Sequence, residues 1–201
     1  MSAPAALRPA TPEVEVAVED ARWTAALGAP EATAAEGAAM ALAAAGVAPD
    51  GLAVSVLLAS DATVADLNAR FRGRAGPTNV LSFPVEDLSP ERPGDAPRPP
   101  NRESPDGEPV PLGDLALAYG VCAAEAEAAG LPLRTHVLHL ALHGALHLLG
   151  FDHVREADAA RMERLESEAM LAAGLPDPYL AKLDREGRPP AGPPSDGSDG
   201  R

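Results

Sequence analysis

Residues 135–153 read THVLHLALHGALHLLGFDH, and this stretch predicts a buried helix. Apart from its histidines, its positions are almost all Leu, Ala and Val, which a helix can bury on every side. All five histidines of the chain fall here, and His139, His143 and His147 share one helical stripe because they are four residues apart. An imidazole that faces a core needs a polar partner. The cluster therefore indicates either separately hydrogen-bonded core histidines or a metal site.

The spacing of the histidines favours the metal site. His143 and His147 lie one turn apart and can bind one ion, with nitrogens about 2.0–2.1 Å from it. On a straight helix His153 would lie about 15 Å along the axis from His143, too far to share that ion. Gly150 can adopt a left-handed conformation, end the helix and turn His153 back. Three neutral imidazoles with an open fourth position are typical of catalytic zinc, so we expect one zinc ion per chain.

The pattern His-x-x-x-His-x-x-Gly-x-x-His also resembles the zinc ligands of metzincin proteases. In those enzymes a glutamate general base follows the first histidine, whereas this chain has Gly144 there. General acid–base catalysis is worth about 10²–10⁴ in rate, so a metallopeptidase is the weaker alternative. Asp152 could supply a carboxylate, or could orient a ligand ring or cap the turn beside His153.

Three blocks of sequence resemble the YbeY family of bacterial metal-dependent endoribonucleases. Residues 143–153, HGALHLLGFDH, resemble its histidine signature. A second block is LNARFRG at 67–73 with PTNVLSFP at 77–84, and a third is LGD at 112–114. The resemblance extends from about residue 14 to residue 175.

This resemblance implies a set of site residues and an activity. His143, His147 and His153 are the implied zinc ligands, and Arg72 takes the place of the family's functional arginine. The implied activity is a zinc-dependent, single-strand-specific endoribonuclease in ribosomal RNA 3′ end processing and ribosome quality control. The implied partners are single-stranded RNA and a ribosomal RNA precursor, with small ribosomal subunit proteins and the GTPase Era. A non-catalytic, zinc-containing ribosome-assembly factor is an alternative of a different class.

Arg70, Arg72 and Arg74 form the only dense basic run of an acidic chain. A guanidinium matches phosphate oxygens, and a cation beside a metal stabilises the charge that grows during phosphodiester cleavage. We expect Arg72 to be catalytic, Arg70 to complement a helix dipole and Arg74 to be simply exposed to solvent. Three polar residues at the next strand could bind substrate or only form edge hydrogen bonds: Thr78, Asn79 and Ser82.

Two further histidines and the single cysteine complete the set of candidate residues. His139 is a candidate for proton transfer or for support of a ligand, with a buried structural role as the alternative. His136 is expected to lie outside the site. Cys122, the single cysteine, cannot form an internal disulfide and is interpreted as a small core residue.

Composition limits the organisation and location of the chain. Its 201 residues are 46% hydrophobic, which suits one domain, and its net charge of −14 argues against whole-surface binding to nucleic acid or anionic membrane. It has neither an apolar run of 18 residues nor a signal-peptide pattern, so we expect it in the cytoplasm. We also expect a monomer. Fifteen of the 22 prolines fall in 1–12, 87–111 and 185–201, and such segments pack poorly. We expect a flexible N-terminus (1–12), one catalytic domain (13–183) with an unpacked, flexible insertion (87–111), and a disordered tail (184–201).

The remaining patterns predict an α+β fold in which a small mixed sheet of about four strands packs against about five helices. The zinc site is expected at the end of a buried helix. The strands are predicted at 14–18, 53–59, 79–83 and 112–118, so the insertion joins neighbouring strands. The helices are predicted near 32–45, from a cap at Asp61, and at 121–129, 135–149 and 155–173, with Gly130 and Gly174 suited to ending two of them.

Overall fold

The computed structural model describes residues 12–179 and has four strands and six helices within that range. Residues 1–11, which make up almost all of the expected flexible N-terminus, and the expected tail lie outside the described residues. The strands are β1 (Glu13–Val18), β2 (Leu52–Ala59), β3 (Val80–Pro84) and β4 (Val110–Ala118). The helices are α1 (Arg22–Leu27), α2 (Pro30–Ala44), α3 (Asp61–Arg72), α4 (Tyr119–Ala129), α5 (Leu133–Leu148) and α6 (Glu156–Ala172).

The four strands form one mixed sheet in the order β1-β2-β4-β3. β1 and β4 both run parallel to β2, whereas β3 is antiparallel to β4 and lies at the edge. The insertion joins the neighbouring strands β3 and β4, as predicted. The α+β prediction and its four strands are therefore confirmed.

Alternating side chains of β4 contribute to two apolar clusters, because successive residues of a strand point to opposite faces. Leu115 and Leu117 belong to the main core with α2 and α5, and Ala116 and Ala118 belong to a smaller cluster with α3. The predicted burial of α5 is confirmed by this packing. A Cβ on Gly37 of α2 would lie 2.6 Å from the carbonyl oxygen of Leu138, so glycine allows the two helices to approach closely.

Two local features differ from the prediction. The sequence patterns missed α1, whose six residues are too few to show a helical period; its Trp23 is fully buried and donates from Nε1 to the carbonyl oxygen of Ala59 at 3.1 Å. α3 begins at Asp61 as predicted, but Ser60 is its cap and accepts from the backbone N–H of Thr63. The carboxylate of Asp61 instead accepts from the backbone N–H of Gly120 at 2.7 Å.

The insertion has no helix or strand from residue 85 to residue 109, but it packs against the domain. Leu88 is 2% exposed and lies under the turn at Gly150. The backbone N–H of Gly94 donates to Asp158 at 2.7 Å, and its carbonyl accepts from Arg161 at 3.1 Å. Arg102 also donates to the carbonyl oxygens of Asp50 and Ala48. The expectation of an unpacked segment is wrong at these points, because a buried leucine and several hydrogen bonds attach this polar loop to the domain. Its flexibility stays a prediction.

Two other expectations bear on this fold. Cys122 is buried, its Sγ lies 3.5 Å from the carbonyl oxygen of Asn79, and burial raises the pKa of its thiol, which confirms a core residue. Within residues 12–179, no helix is both long and apolar enough to cross a membrane.

Candidate metal centre

Three histidine side chains converge at the C-terminal end of α5. His143 and His147 lie one helical turn apart, and their Nε2 atoms are 3.2 Å from each other. The ring of His153 lies 5.3 Å from that of His143 and 5.0 Å from that of His147, measured between centroids. One nitrogen from each ring lies within 4.8 Å of the others, so these three histidines could hold a metal ion.

The turn that returns His153 to α5 depends on Gly150. This residue has a φ of +85°, in the left-handed region that favours glycine. Its N–H donates to the carbonyl oxygen of His147 at 3.0 Å, and the N–H of Phe151 donates to that of Leu146 at 3.1 Å. A Cβ on Gly150 would also lie 2.6 Å from the backbone of Leu88. The predicted glycine turn is confirmed.

The carbonyl oxygen of Phe151 fixes the ring of His147. It lies 2.9 Å from Nδ1, and because a carbonyl only accepts, Nδ1 carries the hydrogen and Nε2 keeps its lone pair. Burial, together with the neighbouring His143 and His153, lowers the pKa of His147 to about 4. This imidazole is therefore neutral at pH 7, the form in which histidine binds metals.

Glu166 of α6 does the same for His143, and the sequence patterns did not identify it. Its Oε1 lies 2.9 Å from His143 Nδ1, and its Oε2 lies 2.7 Å from His139 Nε2. Burial opposes the ionised carboxylate, but hydrogen bonds from His139 and His143 outweigh that effect and lower the pKa of Glu166 to about 2. The sequence did contain one signal that could have identified Glu166. Its carboxylate lies four residues from both Met162 and Met170, on the helix face that these methionines bury.

The two donor nitrogens of α5 have the spacing expected for ligands of one tetrahedral ion. With hydrogens on both Nδ1 atoms, the Nε2 lone pairs of His143 and His147 face each other at 3.2 Å, an arrangement that a cation between them stabilises. Two nitrogens bound at 2.0–2.1 Å to a tetrahedral ion lie about 3.3 Å apart. The separation in this structure agrees with that value. Three imidazole ligands leave one position of a tetrahedral ion open.

The three histidines line a cleft of about 650 Å³ that Arg72 and Arg74 also line. Arg72 ends α3, and its Nη2 donates to the carbonyl oxygen of Ser82, on the edge strand β3, at 3.2 Å. Arg74 is exposed as expected, but it belongs to the same cleft and is not remote from the site. Arg70 is paired with Asp66 at 3.2 Å on the surface of α3 and does not line the cleft.

The polar residues at the start of β3 also line this cleft. Asn79 has internal partners, since its Nδ2 donates to Glu125 at 3.0 Å and its Oδ1 accepts from the backbone N–H of Val80. Glu125 also lies 2.9 Å from Nε2 of His136, and His136 is not among the lining residues. His139 does not line the cleft either, and its contact with Glu166 favours the supporting role over proton transfer.

The position that holds the glutamate base in metzincins is enclosed in this fold. A Cβ on Gly144 would lie 2.9 Å from Leu115 Cδ2, 3.2 Å from Ser82 Oγ and 3.3 Å from Val80 Cγ2. The close packing of α5 on the sheet explains the glycine and leaves little room for a longer side chain. Asp152 accepts from the backbone N–H of His153 at 2.7 Å, as expected of a residue that caps the turn. These contacts disfavour the peptidase alternative.

Comparisons with known proteins agree with this geometry. The model of the family described as "Endoribonuclease YbeY" matches residues 22–174. Endoribonuclease YbeY of Dinoroseobacter shibae is 49% identical over 171 residues, which cover 85% of this chain and 92% of that protein. The protein of the same name from Ruegeria pomeroyi is 45% identical, covering 83% and 97%. That from Cereibacter sphaeroides is 46% identical, covering 84% and 99%.

Proposed function

This chain belongs to the YbeY endoribonuclease family, and from that premise we propose that it is a zinc-dependent hydrolase of single-stranded RNA. One observation carries the proposal. Three imidazole nitrogens lie within 4.8 Å of one another in a cleft that an arginine also lines. A cation site beside a guanidinium suits a reaction in which negative charge grows on a phosphate.

His143, His147 and His153 are the proposed ligands, and zinc is the proposed ion because three histidine donors with one open position are typical of catalytic zinc sites. The chemistry that zinc supplies when bound is activation of water near neutral pH and polarisation of a phosphoryl oxygen. The contacts of His143 with Glu166 and of His147 with Phe151 support this assignment, since each engages Nδ1 and leaves Nε2 available, and the two Nε2 atoms lie 3.2 Å apart.

Arg72 is the proposed catalytic residue outside the ligand set. Its guanidinium is held against β3 by the carbonyl oxygen of Ser82, and its remaining N–H groups can bind the scissile phosphate. Because a guanidinium can bind two phosphate oxygens in one plane, it orients the phosphate as well as neutralising it. Hydrolysis breaks a P–O bond of the RNA and adds the elements of water, so no protein nucleophile is required.

The biological setting we propose is maturation of ribosomal RNA, with processing of its 3′ end and ribosome quality control, in the cytoplasm. The substrate is then a single-stranded region of a ribosomal RNA precursor, and the chain acts as a monomer. The net charge of −14 weakens unaided binding to RNA. Small ribosomal subunit proteins and the GTPase Era are the proposed partners that bring the enzyme to its substrate.

A comparison of substrates tests this function. Purified protein is incubated with single-stranded RNA, duplex RNA and casein, each with and without a chelator. We expect cleavage of single-stranded RNA alone, abolished by the chelator and restored by zinc. Casein hydrolysis without RNA cleavage would favour the peptidase. A non-catalytic assembly factor would cleave neither RNA nor casein. It would also still bind precursor ribosomes when the histidines are replaced.

A further inference from the structure

Glu166 is a carboxylate buried in the interface between α6 and α5. It is 0% exposed, and Met162 and Met170, one turn away on either side, are also buried. A carboxylate in such surroundings is costly unless hydrogen bonds compensate for lost hydration. Its oxygens have three partners: His143 Nδ1 at 2.9 Å, His139 Nε2 at 2.7 Å and Tyr179 Oη at 2.5 Å.

The partners are divided between the two oxygens. Oε1 accepts from the ring of His143, whereas Oε2 receives hydrogen bonds from both His139 and Tyr179. Two donors on Oε2 resist rotation of the carboxylate, and a carboxylate that cannot rotate keeps Oε1 on His143. His139 and Tyr179 therefore act on the histidine cluster through Glu166.

We propose that Glu166 is a positioning residue of the metal centre, which fixes the ring orientation and the tautomer of His143 and thereby sets the affinity for the metal. The proposal rests on the proposed function, because it requires His143 to be a ligand. When the hydrogen is on Nδ1, the lone pair of Nε2 is available to a metal ion. A carboxylate that accepts this Nδ1 hydrogen makes Nε2 more basic and therefore a stronger ligand. Outer contacts of this kind are typically worth about 10–100-fold in metal affinity.

Glu125 of α4 provides a matched control, because it contacts His136, another histidine of α5. Its Oε2 lies 2.9 Å from His136 Nε2, the same kind of contact as that of Glu166. Glu125 is 41% exposed on its side chain, and His136 does not belong to the cluster that could hold a metal. Loss of this second carboxylate should therefore leave the metal affinity unchanged.

The test is Glu166→Gln, measured by competition with a zinc chelator and by the visible spectrum of the cobalt-substituted protein. Glutamine has the same shape but one acceptor oxygen, so either His143 or the His139–Tyr179 pair loses its acceptor. We expect zinc affinity to fall about 10–100-fold and the cobalt bands to shift, whereas Glu125→Gln changes neither. A purely structural role would lower the melting temperature without moving the cobalt spectrum of the folded fraction, and that result would overturn the proposal.

A measurement on the wild-type protein applies even if Glu166→Gln does not fold. Long-range ¹H–¹⁵N NMR of the zinc-loaded protein should show the hydrogen of His143 on Nδ1 and none on Nε2, and a hydrogen on Nε2 would overturn the proposal. Wild-type protein that binds no zinc contradicts the proposed function itself. Wild-type protein that binds zinc, with Glu166→Gln binding it equally tightly and with the same cobalt spectrum, contradicts this inference alone.

Discussion

Replacing Arg72 by lysine separates the shape of the side chain from its charge. Arg72 uses Nη2 to donate to the carbonyl oxygen of Ser82 and keeps its other N–H groups for the cleft. A lysine ammonium concentrates its donors on one atom, so it cannot bind Ser82 and two phosphate oxygens in one plane. Loss of one donor to a transition state costs about 10²–10³ in kcat, or about 2.7–4 kcal/mol. We expect Arg72→Lys to cleave single-stranded RNA about 10²-fold more slowly and Arg72→Ala to be no faster.

Single-turnover cleavage of an end-labelled RNA measures this loss, with zinc content and urea unfolding measured alongside. Arg72 is exposed, so its variants should retain zinc and a free energy of unfolding within about 0.5 kcal/mol of wild type. Arg70→Ala is the matched control, since Arg70 lies on the same helix, pairs with Asp66 and does not line the cleft. Arg74→Ala should show a smaller loss, because Arg74 lines the cleft. Wild-type cleavage by Arg72→Lys, or an equal loss in Arg70→Ala, would refute the reasoning.

Three further predictions concern stability. Gly37→Ala should lower the free energy of unfolding by about 2–3 kcal/mol, because the new Cβ would meet the backbone of α5. Gly144→Ala should lower it by about 1 kcal/mol or less, because the nearest contact of its Cβ is the end of the Leu115 side chain. A higher urea midpoint for Gly37→Ala than for Gly144→Ala would contradict this order. Leu88→Ala should cost about 2 kcal/mol and lower the melting temperature by about 4–8 °C, whereas an unchanged melting temperature would mean that the insertion contributes no packing. In metal-free folded protein His147 has a pKa of about 4, below its ordinary value of 6.5. As the pH falls, the unfolded chain therefore takes up a proton at His147 before the folded protein does. Stability should therefore fall as pH drops from 6.5 to 4, and His147→Asn should reduce that slope; an equal slope in both proteins would argue against a lowered pKa.

The sequence predicted those features of the site that lie close together along the chain. The ligand spacing of His143 and His147 follows from helical geometry, and the return of His153 follows from one glycine, so eleven residues contain the whole triad. Glu166 could not be found in this way, because it lies 23 residues beyond His143 on another helix and only the packing of α6 on α5 brings it near.

The fold shows the same division between local and long-range information. Short apolar runs and weak alternation identified the four strands, and helical spacing and caps identified the longer helices. The packing of Leu88 under Gly150 left no signal, because a single leucine in a polar, proline-rich segment has no period. The sequence showed that Gly144 replaces the glutamate base of the metzincins. Only the structure showed why a glycine is needed there, namely the close approach of α5 to β3 and β4.

Zinc stoichiometry in wild-type protein and in His147→Ala tests whether the three histidines bind zinc. Both proteins are purified by gel filtration, and their zinc is counted by elemental mass spectrometry, with Arg70→Ala as a variant outside the site. The histidine triad predicts one zinc ion per chain in wild type and Arg70→Ala, and a largely empty site in His147→Ala, because two remaining imidazoles bind an ion poorly. Full zinc occupancy in His147→Ala, or no bound zinc in the wild-type protein, would contradict the account.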